Sequence, residues 1–135
     1  MVRARRQAAV IPYRIRKQHV EVALVTTTKG KRWIVPKGSV DAGERPRDAA
    51  IREAEEEAGL TGVVARRPLG RYLHVSDDRR FRVYVYLMCV TKIRDRWLED
   101  RRRERRWMRL SDAAEIVREE LRPFVQRLER TIDLK

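Results

Sequence analysis

Three glutamates, Glu53, Glu56 and Glu57, stand at i, i+3 and i+4 within the stretch Arg52 to Ala58, REAEEEA. On a helix that spacing stacks their carboxylates on one patch of the surface. Like charges so placed repel by about 0.2–0.5 kcal/mol per pair unless something compensates them. A hard divalent cation such as Mg2+, which takes oxygen ligands, is the obvious compensator. The plainer reading is a solvated Glu/Arg helix, the usual fate of a charge run.

The elements that must position these carboxylates are legible around them. At about 100° per residue, Ala50, Ile51, Ala54 and Ala58 share an arc beside the acidic patch, and three of the four are small, which allows close packing on a sheet. Pro46 suits the first helical position and Gly59 the left-handed residue after the last turn. The preceding stretch, Gly38 to Gly43, is expected to be a loop that brings backbone carbonyls near a metal.

Gly38, five residues, Glu44, seven residues, then Arg52, Glu53, Ala54, Glu55, Glu56, Glu57, Ala58, Gly59 and Leu60 together resemble the complete Nudix box. Ala54, where the family more often has a larger aliphatic residue, is the one soft match. The resemblance implies an α/β fold, an α/β/α sandwich with a mixed central sheet, and hydrolysis of a phosphoanhydride in a nucleoside diphosphate derivative or an analogue. It also implies Mg2+, with Mn2+ as the substitute. Glu53 and Glu57 would hold the metal, Glu56 would be a further ligand or the base for the attacking water, and the Gly38 carbonyl would complete the shell. The base is left open between Glu53 and Glu56. Arg52, grouped with the catalytic set, reads as a partner of Glu44 or of a ligand glutamate that holds the geometry.

The 135 residues suit one domain, 1–135, with a real core. A hydrophobic share of 42% beside 39% charged residues describes a globular protein with a heavily ionised surface. No apolar run reaches the length of a membrane span, and Met1-Val2-Arg3 leads into charge rather than a signal-peptide core, so a cytoplasmic protein is expected. Cys89 is the single cysteine, which excludes an internal disulfide or a multi-cysteine zinc site; in the apolar run Tyr84 to Val90 it reads as a small core residue. His19 and His74 read as ordinary polar residues. Net charge is +13, and 27 of the 33 basic residues are arginine. Such a field favours anionic partners, and guanidinium suits phosphate because it binds in two-pronged fashion.

In chain order, strands are predicted at Gln7 to Arg14 and Val20 to Thr27, with a hairpin turn at Arg16 to Gln18 and a further turn at Lys29-Gly30-Lys31. Arg3, Arg5 and Arg6 form a basic lead-in. Trp33 is a core anchor or a stacking surface. Short strands follow at Gly62 to Arg66 and Gly70 to Val75, then a polar turn at Asp77 to Arg80. Phe81 to Thr91 alternates Val83, Val85 and Leu87 with Tyr84, Tyr86 and Met88, apolar on both faces, so it should be the central strand. Trp97 to Arg106 reads as a charged loop, Trp107 to Leu110 as a strand, and Ser111 as the cap of a helix to about Arg118. Pro123 opens a last helix with Phe124, Leu128 and Ile132 as its buried stripe.

This order of motifs, including RWIVP, VYVYL, RRW and SDAAEIV, resembles the diphosphoinositol polyphosphate phosphohydrolase branch of the Nudix family, which also hydrolyses diadenosine polyphosphates. Matched by position, the branch's phosphate-binding residues fall on Arg5, Thr27, Arg79, Arg103 and Arg122. Lys37 and Ser39 depart from the branch's glycines, and Pro36-Lys37-Gly38 is similar instead to diadenosine tetraphosphate hydrolases; both join the expected substrate-binding set. The expected partner is therefore a polyphosphorylated small molecule. Nucleoside triphosphates and RNA 5′ ends are alternatives, and a basic nucleic-acid-binding protein on the same scaffold is the reading from a different class, motivated by the charge and by RRRERR at 101–106.

Overall fold

Two long strands form the spine of the molecule. In the computed structural model, which describes residues 4–30 and 32–132, β1 (Arg5–Arg16) lies parallel to β7 (Arg79–Ile93), with Arg5 opposite Phe81 and Tyr13 opposite Cys89. Each long strand serves two partners along its other edge. The distal half of β1 forms a hairpin with β2 (His19–Thr26), while its first half, Gln7 to Ala9, pairs with β4 (Lys37–Ser39). In the same way β7 pairs with β6 (Gly70–Ser76) at its start and with β5 (Leu60–Val64) at its end. β2 continues the sheet outward to β3 (Trp33–Ile34) and β8 (Arg105–Arg109). The result is an eight-stranded mixed sheet, forked on both sides of the β1–β7 pair.

Helices cover both faces. α1 (Pro46–Ala58) packs on Ala8, Val10, Ala23, Val25, Tyr86 and Met88 through Ala49, Ala50, Ala54 and Ala58, all fully buried. Four alanines bring the helix axis close to the strands, so the longer residues on its flank reach past the sheet edge. Gly59 ends the helix with φ 66° and its N–H returns to the last turn, as expected of a left-handed cap. The opposite face carries α2 (Leu110–Ile116), α3 (Arg122–Gln126) and α4 (Leu128–Thr131) over Ala9, Ile11, Val22, Leu24, Val83 and Val85. The alternation read in β7 is thus the partition between the two cores.

Several expectations are corrected. Cys89 is exposed rather than core, because the sheet beside Tyr13 and Val63 extends beyond the cover of α2–α4. Ser111 lies inside α2, whose cap position is Arg109 with no side-chain cap bond. The last helix is two short ones meeting at Arg127, although Phe124, Leu128 and Ile132 are all buried as expected. Gly38 sits in a short strand, β4, not at the start of a loop. Thr27 follows β2 rather than ending it, and the strand expected from Gly62 begins at Leu60. Arg3 and Lys31, named above, lie outside the described residues.

Candidate active site

The carboxylates project from α1 toward the place where β1 exchanges β2 for β4. Glu53 and Glu57, one turn apart, are buried at 7% and 6% exposure, whereas the Glu56 side chain is about a third exposed. The Glu53 carboxylate lies directly on Gly38: a Cβ built there would overlap Glu53 Oε1. The bare Cα of glycine is what leaves the carboxylate this place against β4. The next residue along β4 reaches the second carboxylate, since the Lys37 backbone N–H donates to Glu57 Oε1 at 2.9 Å.

Two arginines complete the arrangement. Arg52 donates twice to Glu44 at 3.0 Å each, to the Ser39 carbonyl at 3.0 Å, to Glu53 Oε1 at 2.8 Å and to Glu56 Oε2 at 3.4 Å. Glu44 in turn accepts the Asp41 N–H at 3.0 Å. Arg52 therefore ties helix, β4 and the intervening turn together, the structural role expected of it, and its bonds hold the Glu44 carboxyl below its ordinary pKa. Arg103, from the β7–β8 segment, donates to Glu99 Oε1 (2.8 Å), the Thr26 carbonyl (2.8 Å) and Glu57 Oε2 (3.2 Å), and is 10% exposed.

Burial dominates the electrostatics. It pushes the Glu57 carboxyl from 4.5 up to about 8, against the pull of the Lys37 N–H and of Arg103. Glu53 is raised for the same reason, with Arg52 and a hydrogen bond to Glu57 opposing. Buried, neighbouring carboxylates are costly to ionise without a cation beside them. The donor set of Glu53, Glu56 and Glu57, with backbone oxygen close by, is all hard oxygen and suits Mg2+ or Mn2+. Among the described residues, however, no three carboxylate, histidine or cysteine side chains converge at ligand spacing. Arg52 is shared among Glu44, Glu53 and Glu56, and Arg103 between Glu57 and Glu99.

The other substrate-binding candidates are distributed unevenly. Arg5 and Arg79 are both exposed at the same end of the β1–β7 pair. Lys37 and Ser39 line β4, and the Lys37 ammonium is held below its usual pKa by burial and then by Arg118. Thr27 is half-buried in the turn after β2, its carbonyl accepting the Gly30 N–H at 2.7 Å. Arg122 is set apart: it donates to the Ala114 carbonyl at 2.8 Å and lines a cavity of about 700 Å3 with Ser111, Glu115 and Glu129, none of them among the carboxylates of the site. A smaller cavity, about 350 Å3, opens beside Glu56 and is walled by Arg52, Arg94, Trp97 and Leu98.

Residues 4–128 match the NUDIX domain. The chain belongs to the Nudix family. Among Nudix relatives, it is 34% identical to Nudix hydrolase 4 of Arabidopsis thaliana, covering 90% of this chain and 65% of that protein. It is 36% identical to the human diphosphoinositol polyphosphate phosphohydrolase 3-beta, covering 84% of this chain and 69% of the relative. The chain thus spans about two thirds of the length of these relatives. In structure it superposes on the C. elegans Ap4A hydrolase with a TM-score of 0.80 over 97% of this chain and all of the other, at 23% identity, a likeness of fold.

Sequence reading missed the contacts that residues far along the chain make with the end of α1 and with β4. Trp97 donates its indole N–H to the Glu57 carbonyl at 2.9 Å and packs on Gly59, while Arg105 donates to the Ala58 carbonyl and stacks on the Trp97 ring at 4.4 Å. Arg118 and Glu120, in the α2–α3 connection, act through their charges on both Lys37 and His74. The signal available was the Trp97 to Arg106 stretch itself, whose aromatic-arginine composition suits packing as well as solvation.

Proposed function

We propose that this chain is a single Nudix domain, 1–135, working as a Mg2+-dependent pyrophosphohydrolase on a phosphoanhydride of a polyphosphorylated small molecule. Diadenosine polyphosphates and diphosphoinositol polyphosphates are the favoured substrates. The observation that carries the reading is the pair of buried carboxylates, one turn of α1 apart and seated on β4, Glu53 against the bare Cα of Gly38 and Glu57 on the Lys37 N–H. Glu53 and Glu57, with Glu56 and the Gly38 carbonyl, are the groups that would hold the ion. Mg2+, or Mn2+ in its place, supplies charge neutralisation at the phosphoryl oxygens and a lowered pKa for the attacking water.

The chain's own residues do the rest. Glu56 is the carboxylate most open to solvent, with a single 3.4 Å contact to Arg52, and takes the proton of the attacking water. Arg52 keeps Glu53 and Glu44 in register so that this geometry is set before substrate arrives. Arg5, Arg79, Lys37 and Ser39, with Thr27, meet the phosphates that are not cleaved. The names of the relatives in the diphosphoinositol branch support the substrate class.

The test is a panel of diadenosine tetra- and pentaphosphate, a diphosphoinositol polyphosphate, a nucleoside triphosphate and a capped or triphosphorylated RNA, each with Mg2+ or Mn2+, in 18O water to locate the cleaved bond. Turnover confined to the first two classes supports the assignment. Turnover of triphosphates or RNA ends alone moves the substrate to the alternative. Tight RNA binding with no hydrolysis of any compound makes the chain a binding protein on the Nudix scaffold.

A further inference from the structure

Arg103 matches a phosphate-binding position, yet its guanidinium is turned inward, with three edges each given to a different oxygen: Glu99, the Thr26 carbonyl and Glu57. Each oxygen of Glu57 thereby accepts one bond, Oε2 from Arg103 and Oε1 from the Lys37 N–H. Arg103 places a positive charge 3.2 Å from Glu57 Oε2, where it repels a divalent ion approaching the same oxygen, so the two cations compete for it. The segment bearing Arg103 does not depend on that contact. It is fastened separately by Trp97 to the Glu57 carbonyl, by the Glu99 N–H to the Glu56 carbonyl at 3.1 Å, and by Asp100 to the Trp97 N–H at 3.0 Å. Arg103 can release Glu57 and keep two of its three bonds.

We propose that Arg103 is the built-in counter-ion of Glu57 in the metal-free protein, and that a divalent cation displaces it and frees one edge of its guanidinium for a substrate phosphate. This inference rests on the metal-dependent reading above. It reconciles an inward-facing arginine with a position matched to phosphate binding: the side chain is a substrate ligand only once the cation has taken its place. Cation and polyphosphate then favour one another, since each stabilises the arrangement in which the Glu57–Arg103 pair is open.

Two measurements test it. Mn2+ binding is followed by electron paramagnetic resonance in wild type and Arg103→Ala over a range of pH, and the limiting affinities of the two proteins are compared. Removing the competitor is expected to tighten Mn2+ binding by about three- to tenfold. Equal or weaker binding in the variant would show that Arg103 only holds Glu57 in place, and overturns the proposal. In wild type, and so independent of whether the variant folds, the Arg103 guanidinium proton resonances are followed during Mg2+ addition. They are expected to leave their carboxylate-bonded positions with the same midpoint as Mg2+ binding; resonances unmoved at saturation overturn the proposal. Failure of both proteins to bind Mn2+ or Mg2+ overturns the metal-dependent reading as well, whereas binding with an unmoved Arg103 overturns the counter-ion alone.

Discussion

Glu53 rests on the Cα of Gly38 with no room for a methyl group between them. Gly38→Ala is therefore expected to displace a flexible carboxylate rather than the backbone, leaving thermal stability within a few degrees of wild type while turnover falls by about 100-fold, as a misplacement near 1 Å can cause. Unchanged turnover would place the metal away from Glu53. Glu56→Gln and Glu57→Gln keep shape and remove charge, so each should abolish turnover with the fold intact; wild-type rates in either would sink the assignment. Glu57 also links pH to stability. Its carboxyl is raised from 4.5 unfolded to about 8 folded, so its favourable contribution is complete below about pH 4.5 and is lost as pH rises through about 8. In chelator, the melting temperature should fall between those values, and Glu57→Gln should flatten that slope. The three glutamates were legible because a helical period of 3.6 is written in their spacing. Their partners were not: the Lys37 N–H is 20 residues from Glu57 and Arg103 is 46 away, and no local pattern encodes contacts made by sheet pairing.

Helix α1 is held at three levels, by its alanine face on the sheet, by Arg52 at its middle and by Trp97 and Arg105 at its end. Arg52 is spent on the protein's own oxygens, those of Glu44, Glu53, Glu56 and the Ser39 carbonyl. Arg52→Ala should accordingly lower kcat with little change in KM; a rise in KM at full kcat would make it a substrate ligand instead. At the helix end, Gly59→Ala places a Cβ 2.9 Å from the Trp97 Cβ at φ 66°, and should cost about 1–3 kcal/mol in denaturant unfolding. The ends of α1 were readable from Pro46 and Gly59 because caps are local chemistry. Ser111 misled for the same reason, since a serine favours a cap but the turn of backbone out of β8 had already begun the helix at Leu110. Cys89 misled because β7 is apolar on both faces, and whether a face is covered depends on where α2–α4 stop.

The charge of +13 was plain in the sequence, but its arrangement was not. Arg5 and Arg79 stand together at one sheet end, Arg103 is enclosed and Arg122 is committed to the Ala114 carbonyl. Alanine variants at Arg5 and Arg79 should therefore lose more activity on a dinucleoside pentaphosphate than on a nucleoside diphosphate compound, while Arg122→Ala should affect both little; equal losses on the two substrates would reduce the arginines to a solubilising surface. The forked sheet also has a consequence in time. Its spine joins Arg5–Arg16 to Arg79–Ile93, and the β1 side, which carries β4, and the β7 side, which carries β6, become one sheet only when those distant segments meet. Closing so long a loop costs entropy before any of the core repays it, so folding should be slow for the size of the chain, in the range of milliseconds to seconds. During synthesis, α1 with its row of repelling carboxylates emerges well before the strand that completes its seat, and a nascent chain stopped short of β7 should be fully open to protease.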